Sequence, residues 1–386
     1  MNMNRDIWEA RVATARNARD RATALNGLTR ALLESSVDMA ADANDRALLA
    51  AAASADLRCT AEGMRNRASI ALVRRDLDSA AADFQTASDM AEALGHGGLW
   101  ASSQIGQAAI CRLRSDYDGA IARLALARER AGEAGDHATE RLAWNYLAAL
   151  YLELHDIPAA DAAASACWAS AEDAGDTMLS LVCSAQLWRA RFAVSSPQRC
   201  LRGLERCAAG LDALGERLLF GQVQLQIGRL ELQTGCADKA FDRAQATRTI
   251  AEEAGDSATG FDALLLGGEC RSAQGQSDEA RDLFGRVRAI AESRGLFSLR
   301  LAVIRAEARL LDQLGDVESA TQLWNEVDQL AFDRGFWDPA MEAAGALARI
   351  AMARGDRVAA EEYLERRDVC RAMLEWETPG SDSQCD

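Results

Sequence analysis

Seven glycines, Gly95, Gly135, Gly175, Gly215, Gly255, Gly295 and Gly335, stand forty residues apart without a slip. A second set keeps the same register between them: Ala80, Ala120, Ala160, Cys200, Ala240, Ala280, Ala320 and Ala360. A fixed period of this size constrains the fold more than any single motif could. It marks a stack of like units, each unable to bury its own apolar face and each covered by the next. A length of 386 residues would by itself suggest roughly two or three globular domains. The unbroken register overrides that expectation, because a solenoid lengthens without starting a new core.

Each unit reads as a pair of helices. Across 137–176, Ala143, Leu147, Leu150 and Leu154 recur at helical spacing. His155-Asp156 then interrupts, and Ala160, Ala164, Cys167 and Ala171 repeat the stripe before Gly175-Asp176. Glycine at such a point supplies a left-handed C-cap, and the aspartate after it caps the next helix. The turn in mid-unit is less uniform, reading Arg75-Asp76, Ser115-Asp116, Gly315-Asp316 and Gly355-Asp356. The pattern predicts an all-α helical-hairpin solenoid of about nine repeats. Residues 5–34 predict one long helix or two shorter ones. Residues 1–56, where the register is faint, form an N-terminal cap and degenerate first repeat. The solenoid proper covers 57–374, and the polar, turn-rich 375–386 reads as a disordered tail.

Two further columns describe the packing. Ala68, Ala108, Ala148, Gly228, Gly268, Ala308 and Ala348 are small, so paired helices can approach closely. Phe84, Leu124, Leu204, Phe284, Trp324 and Leu364 are large and fill the space between units. Small, then alanine, then a bulky residue four later across a helix–turn–helix resembles the tetratricopeptide repeat. The forty-residue unit is similar to the long-repeat variety of kinesin light chains and of the helical sensor arms of bacterial regulators. That resemblance implies a right-handed superhelix whose first helices line a concave groove, and a trade in binding proteins or peptides. One unit departs from the pattern. Around 177–216, Trp188 stands in the small column, Ser195-Ser196-Pro197 replaces the aspartate turn and Cys200 replaces alanine. This is either drift absorbed by the neighbours or a local kink that shapes a binding site.

The chemistry of the chain points to binding. A formal net charge of −16 opposes nucleic acid and anionic membranes as partners. No apolar stretch reaches the ~18 residues of a membrane span, and no signal peptide is visible at the N-terminus. The ten cysteines form no CxxC pair and no metal spacing, and read as small buried hydrophobes in a reducing cytoplasm. His96, His137 and His155 fall at turns without a nucleophile or ligand pattern around them. The expectation is a non-enzymatic, cytoplasmic protein with no catalytic residue, cofactor or metal.

If the resemblance holds, the residues facing the groove are Leu142, Asn145, Leu152, Val182, Arg189, Phe192, Leu225, Arg229, Leu232, Leu265, Arg305, Arg309 and Arg349, with Glu269 and Asp312 beside them. Arg189, Arg229, Arg309 and Arg349 share one column. They serve either a ligand carboxylate or acids of neighbouring repeats. The apolar set with its arginines suggests a protein or peptide partner with apolar anchors and an acidic or C-terminal carboxylate. Three roles fit an array of this kind: an adaptor for a protein segment, a sensing arm whose output domain lies on another chain, and a structural subunit of a larger complex.

Overall fold

The computed structural model describes residues 3–376 apart from 34, 35, 155 and 194. Within them the chain forms nineteen α-helices and no strand. A single helix, α1 (Met3–Thr14), precedes nine hairpins. The first helices of the hairpins are α2 (Ala18–Leu33), α4 (Leu57–Val73), α6 (Gly97–Leu113), α8 (His137–Glu153), α10 (Thr177–Ala190), α12 (Arg217–Gln233), α14 (Ser257–Ala273), α16 (Phe297–Leu314) and α18 (Trp337–Arg354). The second helices are α3 (Val37–Ser54), α5 (Leu77–Ala93), α7 (Tyr117–Glu133), α9 (Ile157–Asp173), α11 (Pro197–Ala213), α13 (Ala237–Ala254), α15 (Ser277–Ser293), α17 (Val317–Phe332) and α19 (Arg357–Trp376). Residues 5–34 thus hold two helices. The last helix runs to Trp376, two residues into the stretch expected to be a tail; 377–386 lie outside the described residues.

The turns explain the regularity. Left-handed residues recur at steps of twenty, not forty, from 55 to 135 and from 215 to 355, with Gly175 between, so both turns of a unit share one design. Gly95, Gly135, Gly175, Gly215 and so on alternate with Gly235, Gly275, Gly315 and Gly355, and Ala55, Arg75 and Ser115 adopt the same conformation without being glycine. In each turn the residue after the left-handed one donates its N–H five residues back, as Asp136 does to the Ala131 carbonyl at 2.9 Å. Where that residue is an aspartate its side chain also accepts from an early amide of the next helix, Asp136 from Thr139 at 3.2 Å and Asp176 from Leu179 at 3.1 Å, whereas Glu216, Cys236, Gln276, Leu296 and Phe336 make no such bond. His96 does the same job through Nδ1, accepting from the Leu99 amide at 3.2 Å.

Between helices, small positions receive large rings. A Cβ at Gly268 would lie 2.5 Å from the Phe284 ring, so only glycine fits there. In the irregular unit Leu204 keeps the large column and an additional small residue makes room for Trp188. Trp188 is the large partner and Gly203, fifteen residues on, is the small one, where a Cβ would sit 2.2 Å from the indole. The accommodation is not free of consequence. α10 stops at Ala190 and continues only as a 3-10 turn over Arg191–Ala193, three residues short of its counterparts. Most cysteines lie in the core: Cys59, Cys167, Cys183, Cys200, Cys207, Cys270 and Cys370 are buried, and burial pushes the Cys270 thiol up to about 12. Cys236 is exposed.

Consecutive first helices touch one another along the chain, from α2–α4 through to α14–α16, whereas consecutive second helices make no comparable contact. Helices that meet their next-but-one neighbours lie on the shorter inside track of a curved stack, so the first helices form the concave wall. The curvature brings distant turns together. Tyr117 meets Phe336 edge to face with centroids 5.2 Å apart, and its hydroxyl lies 3.4 Å from the Ser298 hydroxyl, 181 residues on. Phe297 stacks at 5.5 Å on the same Phe336. The groove is therefore walled on both sides. No helix among the described residues is long and apolar enough to cross a membrane.

Candidate functional site

The groove is the candidate site, and its character follows from which side chains the neighbouring repeat covers. Leu152, Leu225 and Leu265 are buried, at 8%, 4% and 6% exposure. They belong to the core because adjoining helices close over them: Leu152 against Ala160 and Ala190, Leu225 against Ala240 and Ala244, Leu265 against the α15–α16 layer. The expectation that they meet groove water is corrected. Leu142 is exposed at 38%, and Val182, Phe192 and Leu232 are half-buried, so these remain as apolar surface. Asn145 is half-buried, and its carbonyl groups take up side chains of α10: Gln186 donates to the backbone oxygen at 3.4 Å.

The arginines divide into two kinds. Arg305 and Arg309 on α16 converge on Glu342 of α18, Arg309 through two bonds of 2.5 and 2.6 Å, and Arg305 also reaches Asp338 at 3.0 Å. Arg349 lies 3.6 Å from Asp312, which also accepts from the Trp324 indole at 2.9 Å. Arg112 grips Glu153 from two sides at 2.7 and 3.0 Å. Arg229 holds Asp262 at a looser 3.7 Å. Among the described residues no acid lies within ion-pair distance of Arg189.

The reason lies in a simple offset. Arg229, Arg305 and Arg309 each find their acid thirty-three residues later, at Asp262, Asp338 and Glu342. Thirty-three residues after Arg189 stands Gln222, a neutral side chain that instead donates to the Thr259 hydroxyl at 3.3 Å. Arg189 keeps some contact with groove water, but protein surrounds it. Burial, and after it repulsion from Arg229, push its guanidinium down to about 10; Glu153 and Asp262 oppose this, and Arg112 adds the smallest push. At neutral pH it stays charged, without a counter-ion.

The surroundings are a charged lining shared by distant repeats. Burial raises the Glu269 carboxyl while Arg229, Arg309 and Arg305 pull it back. Burial disfavours the Arg112 cation, but Glu153 outweighs it and the net shift is upward. Burial raises the Tyr146 phenol, which lies near Arg112. Arg75, in its left-handed turn, is lowered by burial and feels Asp256 and Asp262 from the far side of the ring. Among the described residues no cluster of three His, Cys, Asp or Glu side chains could hold a metal ion. The polar partner of His137 is Glu140, at 3.0 Å.

Sequence columns placed the arginines on the wall but did not separate the paired from the unpaired. The thirty-three-residue offset was the signal that could have done so. No protein-family model matches the chain, and no curated protein matches it in sequence. Among solved structures it is similar to a Rap protein complexed with competence and sporulation factor, with a TM-score of 0.67 at 13% identity over 93% of this chain and 99% of that one. It is also similar to the apo form of the quorum sensor NprR from B. thuringiensis, with a TM-score of 0.58 at 12% identity over 93% and 100% of the two chains. A third likeness is to the Rap conjugation gene regulator of the plasmid pLS20 in complex with the Phr* peptide, with a TM-score of 0.53 at 12% identity over 99% and 97%. At these identities the likeness is one of fold: the chain is a tetratricopeptide-like superhelical solenoid over nearly its whole length.

Proposed function

We propose that the chain is a non-enzymatic, cytoplasmic peptide-binding regulator whose groove receives a segment with apolar anchors and a carboxylate. The observation that carries this reading is Arg189, a charged guanidinium enclosed in the groove whose expected partner position holds Gln222. Leaving a buried charge unpaired costs stability, and a ligand carboxylate would remove that cost on binding. Phe192 and Val182 lie half-buried on the same hairpin, and Leu142 and Leu232 offer further apolar surface to either side. Two proteins of the same fold were solved in complex, a Rap protein with competence and sporulation factor and the pLS20 regulator with the Phr* peptide, which supports a peptide ligand over a folded client. The net charge of −16 repels acidic peptides at long range, so recognition depends on the local patch.

The test is affinity capture from cells that make the protein, followed by mass spectrometry of peptides and proteins together. Titration calorimetry of the captured peptide against wild type and Arg189→Glu then locates the site. Loss of binding in the variant is expected. Equal affinity would mean that the groove is not where the ligand sits. Co-capture of a kinase, cyclase or transcription factor would make the chain the sensing arm of a system with its output on another polypeptide.

A further inference from the structure

We propose that a second surface, on the outer side of the α10–α11 hairpin, docks an acidic amphipathic helix of a partner protein. It is distinct from the groove: Trp188 and Arg189 are consecutive on α10 and so point about 100° apart. On the Trp188 side lies a shallow cleft of about 700 Å³ lined by Trp188, Arg199, Arg202, Glu205, Arg206 and Ala209.

Three features set this surface apart. Arg199, Arg202 and Arg206 are exposed and none has an acidic partner among the described residues, whereas every other second helix that carries arginine has at least one in an ion pair. The acid nearest to hand, Glu205, faces Arg243 at 3.7 Å. Second, the Trp188 indole lies against α11 only because Gly203 has no Cβ, and its ring remains half-buried with the Arg199 guanidinium 6.0 Å from its centroid. Third, the surface sits where the repeat is broken by the short α10 and its 3-10 turn. A positive stripe with an aromatic floor, on a chain of net charge −16, is a local reversal of sign.

The spacing selects the occupant. Positions 199, 202 and 206 lie on one stripe over two helical turns, about 10 Å long. A helix with carboxylates three and four residues apart presents the same length of charge, and each arginine can hold a carboxylate through two bonds. Apolar residues beside those acids would cover the indole, the anchor type that dominates binding energy in interfaces. Duplex nucleic acid fits less well, since its phosphates extend far beyond the stripe onto an acidic surface that repels them.

Fluorescence anisotropy on the full chain tests this. The probe is a labelled helical peptide of about five turns with glutamates along one stripe and leucines next to it. Wild type is expected to bind it, with an affinity that falls as salt rises. Arg202→Glu with Arg206→Glu should weaken binding about tenfold or more, and Arg189→Glu should leave it unchanged. Both arginines are exposed, and circular dichroism checks that the fold survives. A peptide of the same composition with its acids scattered around the helix should bind weakly. Equal binding of the scattered peptide, insensitivity to the double substitution, or tighter binding of duplex DNA than of the acidic helix would each overturn the proposal. Loss of binding in Arg189→Glu would place the acidic helix in the groove and overturn it as well.

Discussion

In the C-terminal third of the groove, Arg305 and Arg309 are tied to Asp338 and Glu342; in the middle, Arg189 occupies the same column as Arg309 and is tied to nothing. The backbone is the same in both places and so is the residue. The partner position differs: an acid at 342, an amide at 222. Where the acid is present, the guanidinium is spent on joining one repeat to the next, and the wall there is structural. Where it is absent, the guanidinium has no ion-pair partner among the described residues, and under the proposed function a ligand carboxylate takes that place. The inner wall thus divides into a closed and an open stretch, with Arg229 and its loose contact to Asp262 at the boundary.

The largest effect should come from reversing the open stretch. Arg189→Glu combined with Arg229→Glu places two acids where a ligand carboxylate is expected, and peptide affinity should fall by at least about a hundredfold, near 3 kcal/mol. Helicity by circular dichroism should not change, because neither residue supports a tight ion pair. Phe192→Ala, which removes an apolar anchor beside them, should cost roughly 1–3 kcal/mol of binding. If both variants bind the captured peptide as wild type does, the open stretch has no role in recognition.

The closed stretch should respond in the opposite currency. Glu342→Ala strands Arg309 and leaves Arg305 with Asp338 alone, both partly buried, and should destabilise the fold by about 2 kcal/mol in chemical denaturation while moving peptide affinity little. A variant that unfolds normally but binds poorly would place the ligand over α16 and α18 and merge the two stretches into one. Solenoids unfold less cooperatively than globular domains of their length, so the loss is best read from local hydrogen exchange in α16–α19.

A control is needed that disturbs the scaffold without touching charge. Gly175→Val serves, since Gly175 has φ of 68° and open space around a Cβ, so backbone strain is the only penalty. About 1–2 kcal/mol of stability should be lost. Because the turn connects α9 to α10, peptide affinity should fall only as far as the α10 wall loosens. The reverse change, Ser115→Gly at φ 63°, should relieve strain and raise stability by about 1 kcal/mol or less. No gain there would mean that Ser115 is held in its conformation by something the turn geometry does not reveal.

Much of this architecture could be read before any coordinates. The glycine period located the hairpins, and the small and large columns located their packing, because each depends on contacts within a unit or to the next. Three things escaped. The register is really twenty, hidden because Ala55, Arg75 and Ser115 fill glycine positions at a cost that sequence does not display. The exposure of Leu225 and Leu265 depended on how far the next helix reaches over them, which helical periodicity does not fix. Closure through Tyr117 and Phe336 joins residues more than two hundred positions apart, and no repeat pattern encodes a contact made once. Trp188 lay between these cases. Its misfit was visible, and its solution at Gly203 was visible too, but only to a search for an additional small residue across the hairpin.

The smallest effect gives the sharpest test of the comparison, because it tries to turn the open stretch into the closed one with a single atom-for-atom exchange. Gln222→Glu supplies the acid that Asp262, Asp338 and Glu342 supply elsewhere, at the same offset and on the same face. The new carboxylate would pair with Arg189 and relieve a guanidinium now disfavoured by burial and by Arg229. It would surrender the bond from Gln222 to Thr259, a hydroxyl that already bonds to Asp256 at 2.6 Å, so little is lost there. Thermal stability should rise slightly, and peptide affinity should fall roughly fivefold, near 1 kcal/mol, since the ligand must now displace an internal partner. The two changes must have this opposite sign. A variant that is more stable and binds equally well would show that Arg189 can serve the scaffold and the ligand together, and that an unpaired charge was never the mark of the site.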